Sequence, residues 1–352
     1  MANNWIQVEG VAASDEEEEE MDESLSVGAS SEVCRILSLD GGGAKGFYTL
    51  GVLNRVEAML GGKPLCEHFK LIFGTSTGGI IAALLVLGYQ VPAILERYQE
   101  YVPKITAKFS RGGRTKALAD LVEKVFGNAD FTQAKTGVGI VATHWHQQKP
   151  MIFKDRVSQA HGGKAAFVPG FGCTIADAVR ASCSAFPYFE RVKLKTSQGE
   201  VELFDGGYCA NNPALYAIAD AVKELARRHK DIRLLSVGVG EYPEPRRWVN
   251  PKHVVTLIEE ILLGFTSLEL LQKTLDVNTR SMEQLRSVLF SDIQTVRIND
   301  RFTQPEMATH LLESDLGKLN LLYQRGIESF GEHEAALQTL FAQKTDDQLP
   351  VS

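Results

Sequence analysis

Ser76, flanked by glycines in the run Gly74-Thr75-Ser76-Thr77-Gly78, is the residue of this chain best suited to nucleophilic chemistry. The run matches the pattern G-x-S-x-G, in which a tight turn between a strand and a helix exposes the serine hydroxyl. Side chains two positions before and after the serine would clash in such a turn, so glycines are needed there. A serine placed in this way attacks carbonyl carbons when a nearby base accepts its proton.

The segments around this pattern predict the elements that position it. Residues 71–73 form a short apolar run suited to a buried strand, and residues 80–87 suit a buried helix. Upstream, residues 34–39 predict a first strand, and residues 47–60 have apolar positions at helical spacing. This alternation of strands and helices predicts an α/β fold with a mostly parallel sheet covered on both faces.

A base for Ser76 is the next requirement, and Asp205 is the best candidate. It follows an apolar strand candidate at residues 200–204 and precedes Gly206-Gly207. The alternative interpretation is an ordinary Asp-Gly turn that closes a strand. None of the eight histidines has a comparable setting, and His144 and His146, which would share one face of a strand, lack a third metal ligand.

A second glycine-rich run, residues 40–46, follows the first predicted strand and precedes the first predicted helix. Gly41, Gly42, Gly43 and Gly46 match G-x-G-x-x-G, which alone is a weak sign of dinucleotide binding. No Walker A motif is present, and no acidic residue follows at the end of a second strand. Consecutive glycines also direct several backbone N–H groups to one point, which is the geometry of an oxyanion hole.

Bulk properties exclude several classes of protein. The net charge of −7 provides no basic surface for a nucleic acid polymer. The acidic residues 1–31 predict a disordered tail without a signal peptide, and the longest apolar run is too short to span a membrane. Five scattered cysteines indicate a reducing, cytoplasmic setting. We expect a catalytic domain at residues 32–245 and a mostly helical C-terminal part, residues 246–352, packed on it.

The downstream pattern predicts further elements. Residues 214–229 predict one helix, residues 232–239 an apolar strand, and residues 295–298 a strand inside the otherwise helical C-terminal part. Residues 91–130 predict helices interrupted near residues 110–114, and residues 174–177 have the spacing of a capping box.

Taken in order, the three glycine motifs resemble those of the patatin-like phospholipase family. The family pattern D-G-G-G-x-[R/K]-G stands at residues 40–46, G-x-S-x-G at residues 74–78 and D-G-[G/A] at residues 205–207. Residues 180–187 also resemble the family segment between the serine and the aspartate, so the resemblance covers about residues 34–240. Lys45 stands where many members carry arginine; it keeps the charge but not the bidentate fork.

The resemblance implies a three-layer α/β/α sandwich and a serine lipid acyl hydrolase without cofactor or metal. Ser76 would be the nucleophile and Asp205 its base, and the N–H groups of Gly41, Gly42 and Gly43 would hold the oxyanion. Five residues would support the motifs: Lys45, Gly46, Gly74, Gly78 and Gly206. The implied substrates are membrane phospholipids, approached from the cytoplasm at the inner membrane surface.

A narrower resemblance is to phospholipase effectors of anti-phage signalling, which a cyclic dinucleotide activates and which self-associate. The sequence itself gives no nucleotide site; Arg111, Arg114, Arg246 and Arg247 are candidate contacts, or simply exposed arginines. Two other functions stay open: a nucleotide-binding module that uses residues 41–46, and a non-catalytic interaction protein on the same fold. The absence of a Walker lysine argues against the first, and the presence of both Ser76 and Asp205 against the second.

Overall fold

The computed structural model describes residues 33–160, 164–225, 227–243 and 257–342. The predicted tail, residues 1–31, and the candidate contacts Arg246 and Arg247 lie outside these residues. Eight strands form one sheet, and hydrogen-bonded pairing connects them in the order β5-β6-β3-β2-β1-β7-β8, with β4 also paired to β3. The strands are β1 (Cys34–Leu39), β2 (Leu71–Thr75), β3 (Gly137–His144), β4 (Lys149–Lys154), β5 (Val192–Thr196), β6 (Gly199–Asp205), β7 (Ile232–Val237) and β8 (Gln294–Ile298).

Five neighbouring strands, β3, β2, β1, β7 and β8, run parallel, whereas β4, β5 and β6 pair antiparallel. The predicted mostly parallel sheet is therefore confirmed. The helices are α1 (Gly46–Met59), α2 (Thr77–Val86), α3 (Val91–Thr106), α4 (Arg111–Phe126), α5 (Ile175–Ser182), α6 (Gly207–Ala210), α7 (Ala214–Ala219), α8 (Leu257–Leu289) and α9 (Leu316–Phe341).

Two hydrophobic clusters lie on opposite faces of the sheet, because successive side chains of a strand point to opposite sides. In β1, Leu37 and Leu39 join the larger cluster, which includes residues of α1, α2, α3, α4, α5 and α9. Ile36 of the same strand joins a smaller cluster with Ala214 and Ile218 of α7. Helices thus cover both faces, which makes the three predicted layers.

The C-terminal part contributes directly to the sheet. β8 pairs parallel with β7, so the strand predicted at residues 295–298 is confirmed. α9 crosses α1 at close range: a Cβ on Gly51 would lie 2.1 Å from the Tyr323 carbonyl oxygen, and one on Gly326 would lie 2.1 Å from that of Tyr48. Glycine at both positions allows the two backbones to touch.

The single helix predicted over residues 214–229 is wrong. α7 ends at Ala219, a π-helical turn follows at Asp220–Glu224, and His229–Asp231 form a 3-10 turn. The Asp220 carboxylate is fully buried and lies 2.6 Å from the Lys154 ammonium of β4. Such a long-range ion pair leaves no trace in local periodicity, so sequence spacing did not reveal the change of helix type.

Candidate active site

The nucleophile elbow has the predicted strand–turn–helix geometry. β2 ends at Thr75, α2 begins at Thr77, and Ser76 between them has φ 52° and ψ −120°. A positive φ is costly for a residue with a side chain and persists only where the surroundings enforce it. A Cβ on Gly74 would lie 2.2 Å from the Gly78 carbonyl oxygen, and one on Gly78 would lie 2.3 Å from that of Leu39. Both flanking glycines are therefore sterically required.

Asp205 reaches Ser76 because two strands end head to head along β3. The last residue of β2, Thr75, pairs with Val141, and the last residue of β6, Asp205, pairs with the next residue, Ala142. At these positions β4 pairs with one edge of β3. β6 must therefore pair with the opposite edge, where β2 also pairs, and it continues the line of β2. The ends of β2 and β6 thus meet, although Ser76 and Asp205 are far apart in sequence.

Gly206 completes this junction. A Cβ at this position would lie 2.1 Å from the Val141 carbonyl oxygen, so any other residue would push β6 away from β3. The Gly207 N–H donates to Asp205 Oδ1 at 2.7 Å, which is the ordinary Asp-Gly turn of the alternative interpretation. The turn and the proximity to Ser76 occur together, so the two interpretations of Asp205 do not exclude each other.

The electrostatic setting suits Asp205 to proton transfer near neutral pH. Its side chain is 2% exposed, and this burial raises the carboxyl pKa to about 7 against the lowering effect of hydrogen bonds from the Gly207 N–H and the Ser76 hydroxyl. Burial raises a carboxyl pKa because it disfavours the charged form. A base is most effective when its pKa lies near the working pH.

Ser182, at the end of α5, connects both halves of the site. Its hydroxyl accepts a hydrogen bond from the Ser76 N–H at 2.8 Å and donates to the Val141 carbonyl at 2.5 Å. The Gly206 N–H donates to the Ser182 carbonyl at 3.3 Å, and the Asp205 N–H donates to the Ser184 carbonyl at 3.0 Å. One short segment therefore holds the backbone of the nucleophile and of the carboxylate. Sequence reasoning gave it no role, although residues 180–187 carried part of the resemblance.

The glycine loop of residues 41–43 lies beside Ser76, but its three N–H groups are not equivalent. The Gly41 N–H donates to the Asn211 carbonyl at 3.0 Å, and the Asn211 side-chain amide donates back to the Gly41 carbonyl at 3.1 Å. Gly42 and Gly43 line the cavity that contains Ser76 and Asp205. Of the three predicted oxyanion donors, the Gly41 N–H thus already has an acceptor, and the oxyanion role stays a prediction that Gly42 and Gly43 fit better than Gly41.

Asp40, the first residue of the glycine motif, forms a buried ion pair. Its carboxylate accepts two hydrogen bonds from the Arg297 guanidinium of β8, at 2.9 and 2.5 Å. Burial alone would lower the pKa of Arg297, but the Asp40 charge outweighs it and raises this pKa. Arg297 also donates to Ser236 Oγ of β7 at 2.8 Å. The C-terminal part thus fixes the start of the glycine loop, a contact across 257 positions that local patterns do not reveal.

Lys45 and Gly46 serve packing around the loop rather than the cavity. Lys45 is 3% exposed, and its Nζ lies 6.0 Å from the centre of the Tyr242 ring. Burial lowers the pKa of this ammonium, and the carboxylates of Asp276 and Glu241 oppose the shift. A Cβ on Gly46 would lie 2.6 Å from Thr77 Oγ1, so this glycine allows α1 to approach the start of α2.

The cavity above Ser76 has a volume of about 90 Å³ and a mostly apolar lining. The end of α3 and Leu118 of α4 form one wall, and the Leu268, Leu271 and Leu275 side chains of α8 form another. Ser76, Asp205, Gly42 and Gly43 lie at its base. An apolar space that leads to a serine and a carboxylate suits an ester with a hydrocarbon chain.

Comparison with known proteins identifies the family. Residues 37–218 match the family model described as patatin-like phospholipase, which is more than half of the chain and includes all three motifs. This chain belongs to the patatin-like phospholipase family. It is accordingly a phospholipase, a hydrolase of carboxylic esters, and the resemblance drawn from its motifs is confirmed.

Individual relatives differ in how much they share with this patatin-like phospholipase. A protein of Escherichia coli named cUMP-AMP-activated phospholipase is 57% identical over 307 residues, which cover 87% of this chain and 93% of the relative. A cGAMP-activated phospholipase of Escherichia coli strain TW11681 is 28% identical and shares 59% of this chain and 62% of its own length. Patatin-like protein 3 of Arabidopsis thaliana is 31% identical over 55% of this chain and 53% of its own.

Among solved structures, VipD of Legionella pneumophila covers 88% of this chain and 67% of its own, at 10% identity and a TM-score of 0.44. The described parts of this phospholipase contain no helix that is both long and apolar enough to cross a bilayer.

Proposed function

We propose that Ser76 and Asp205 form the catalytic dyad of this phospholipase. The observation that carries the proposal is the junction on β3, where the ends of β2 and β6 bring the two residues together at neighbouring positions. The positive φ of Ser76 and the raised pKa of Asp205 support it, since each is a departure from the ordinary state that catalysis would use.

In the first half of the reaction, Ser76 Oγ attacks the acyl carbonyl carbon and its proton moves to an Asp205 carboxylate oxygen. The carbonyl oxygen becomes an oxyanion, which the N–H groups of Gly42 and Gly43 stabilise. When the tetrahedral intermediate collapses, the C–O bond of the ester breaks and Asp205 returns the proton to the departing alcohol. The acyl group remains bound to Ser76 Oγ.

In the second half, a water molecule attacks the acyl-enzyme and gives its proton to Asp205. Collapse releases the fatty acid and returns the proton to Ser76. No histidine is required, because a carboxyl with a pKa of about 7 exchanges protons at neutral pH much as an imidazole does. Ser182 acts as a positioning residue, since it holds the Ser76 backbone without reaching the substrate.

The direct test is release of fatty acid from phospholipid vesicles by the wild type, Ser76→Ala and Asp205→Asn. We expect both variants to lose at least about 10³-fold in rate. Circular dichroism and thermal unfolding would establish that they fold. A folded variant that retains the wild-type rate would refute the dyad.

We further propose that a cyclic dinucleotide activates this phospholipase in anti-phage defence, with cUMP-AMP as the first candidate. Support comes from the relative that carries this activator in its name, because it is similar over nearly the full length of both chains. The proposed setting is the cytoplasmic face of the inner membrane, with membrane phospholipids as substrates and self-association of the chain on activation.

The activator proposal is tested by hydrolysis of the same vesicles with no nucleotide, with cUMP-AMP and with cGAMP. We expect cUMP-AMP to raise the rate at least about tenfold more than cGAMP. Light scattering in the same samples reports self-association. Equal rates in all three conditions would refute activation while leaving the dyad intact.

A further inference from the structure

The turn between α3 and α4, residues 107–110, presents the most exposed large apolar side chain in the described parts of the chain. Phe109 at this turn is fully exposed. A single exposed apolar side chain is common on protein surfaces, so the significance of Phe109 depends on what surrounds it.

The turn is firmly held, so Phe109 is not exposed through local disorder. The Ala107 N–H donates to the Pro103 carbonyl at 3.0 Å and the Lys108 N–H to the Ile105 carbonyl at 3.2 Å. On the other side, Ser110 caps α4, because its hydroxyl accepts the Gly113 N–H at 3.0 Å. Hydrogen bonds therefore fix the backbone on both sides of Phe109 while its phenyl ring faces solvent.

Arg114 braces this turn against the wall of the active-site cavity. Its guanidinium donates to the Lys108 carbonyl at 2.6 Å and to the Tyr188 carbonyl at 3.1 Å, and it lies over the Tyr188 ring. Tyr188 lines the cavity, as does Thr106, three residues before Phe109. The exposed ring therefore stands at the cavity end of the α3–α4 pair.

The charge of the surrounding segment is opposite to that of the chain. Residues 101–119 contain five Lys and Arg and no Asp or Glu, in a chain with net charge −7. Lys104 pairs with Glu100 at 3.2 Å, whereas Lys108, Arg111 and Lys116 form no ion pair with any residue that the structure describes. The Glu190 carboxylate lies near this segment, 3.8 Å from the position of a Cβ on Gly112.

From these observations we propose that residues 107–116 dock this phospholipase on an anionic phospholipid bilayer, with Phe109 inserted at the headgroup level. Lys108, Arg111 and Lys116 would contact lipid phosphates around it. An apolar side chain surrounded by cations is the composition that binds anionic membrane surfaces. Docking there would place the bilayer beside the cavity that contains Ser76. The inference rests on the proposed hydrolysis of membrane phospholipids.

The docking surface is tested first by binding, which needs no turnover. Full-length protein carrying Ser76→Ala would be sedimented with vesicles of phosphatidylcholine and phosphatidylglycerol, with and without cUMP-AMP. Adding Phe109→Ala should weaken binding about tenfold, and adding Lys108→Glu with Arg111→Glu at least as much. Val288→Ala on α8, 70% exposed, and Lys230→Glu, also exposed, are the matched controls and should leave binding unchanged.

A second measurement separates docking from catalysis. With the catalytic residues intact, Phe109→Ala should lose about tenfold in hydrolysis of vesicles but keep its rate on a water-soluble short-chain ester. Equal loss on both substrates, or binding equal to that of the parent protein, would overturn the docking surface. Failure of the wild type to hydrolyse either substrate with cUMP-AMP present would instead refute the proposed function, and the sedimentation result would still decide the docking surface.

Discussion

The two sides of the active-site cavity are built on different physical principles. At its base, directed hydrogen bonds and backbone contacts fix Ser76, Asp205 and the glycine loop, with Ser182 joining two of them. The helices opposite, α3, α4 and α8, contribute mainly apolar side chains such as Ile105 and Leu271. Hydrogen bonds fix both distance and direction, whereas apolar contacts are non-directional. The reactive groups are therefore rigidly placed, and the walls around the substrate are free to repack.

The largest effect is expected from Gly78→Ala, which disrupts the rigid side, that is, the hydrogen-bonded base of the cavity. The new Cβ would lie 2.3 Å from the Leu39 carbonyl oxygen, a backbone atom that has no room to retreat. We expect the free energy of unfolding to fall by at least about 3 kcal/mol and the rate of ester hydrolysis to fall at least about 100-fold. Denaturant titration and a soluble-ester assay measure the two quantities.

The control for this variant is Gly331→Ala on the exposed face of α9, where no atom lies within 4 Å of the added Cβ. There alanine should stabilise the helix by up to about 1 kcal/mol without changing the rate. A fully active Gly78→Ala enzyme would contradict the steric account of the elbow.

The next effect is the pH dependence of kcat/KM. As the proposed base, Asp205 would act only when ionised, and its pKa is raised to about 7. The rate should therefore be constant above this pH and fall about tenfold per pH unit below it. A soluble short-chain ester measured between pH 5 and pH 9 gives the profile. A rate that stays constant down to pH 5 would exclude Asp205 as the base.

Stability should change in the opposite direction. Burial on folding raises the carboxyl pKa from its ordinary value of 3.8 to about 7, so the folded protein binds the proton more tightly. The contribution of this group to stability is complete below pH 3.8 and is lost as the pH rises through 7. Asp205→Asn has no carboxyl to ionise and does not lose this stability. The Tm of the variant minus that of the wild type should therefore increase from pH 5 to pH 8. A Tm difference that is independent of pH would show that Asp205 is ionised at low pH.

A smaller effect is expected from Ser182→Ala, which removes hydrogen bonds at the base of the cavity without adding a steric clash. The variant loses the acceptor for the Ser76 N–H and the donor to the Val141 carbonyl. We expect kcat to fall about tenfold with little change in KM. Ser184→Ala is the control, since its hydroxyl donates to the Arg180 carbonyl one helical turn away and contacts neither Ser76 nor Val141 by a hydrogen bond among the described residues. Equal effects of the two variants would contradict the positioning role of Ser182.

The smallest effect is expected from Leu275→Ala on the apolar side. Leu275 is 6% exposed and lines the cavity, so its removal enlarges the space for substrate without moving Ser76. KM should change about threefold while kcat stays within about twofold. Leu285→Ala, on the same helix but 45% exposed, should change neither constant. A loss of kcat as large as that of Ser182→Ala would remove the distinction between the two sides.

Local sequence predicted the parts of this molecule that depend on local geometry. The elbow required Gly74 and Gly78 because of the turn itself, and the capping box of Thr174 and Asp177 forms as its spacing indicated. The strand of residues 34–39 and the helix of residues 80–87 were visible because buried elements are mostly apolar. A catalytic role for Asp205, rather than a place in an ordinary Asp-Gly turn, was indicated only by the three motifs taken together.

The remaining parts depend on contacts between distant residues. Arg297 pairs with Asp40 across most of the chain, and the Asn211 carbonyl accepts the Gly41 N–H that was predicted to hold an oxyanion. The buried Asp220 lies where the predicted helix changes type. Each of these is a single polar residue in an unremarkable local sequence, and its role is set by a partner that folding brings near.

The head-to-head meeting of β2 and β6 also has an evolutionary consequence. Ser76 and Asp205 are separated by 129 positions in the chain, yet their spacing depends on two consecutive residues of β3, Val141 and Ala142. Insertions and deletions in most of the intervening chain leave that spacing unchanged, so this region is free to diverge in length. A one-residue slip of β6 along β3 would turn the Asp205 side chain to the opposite face of the sheet. The proposed reaction therefore depends on strand register at this short stretch.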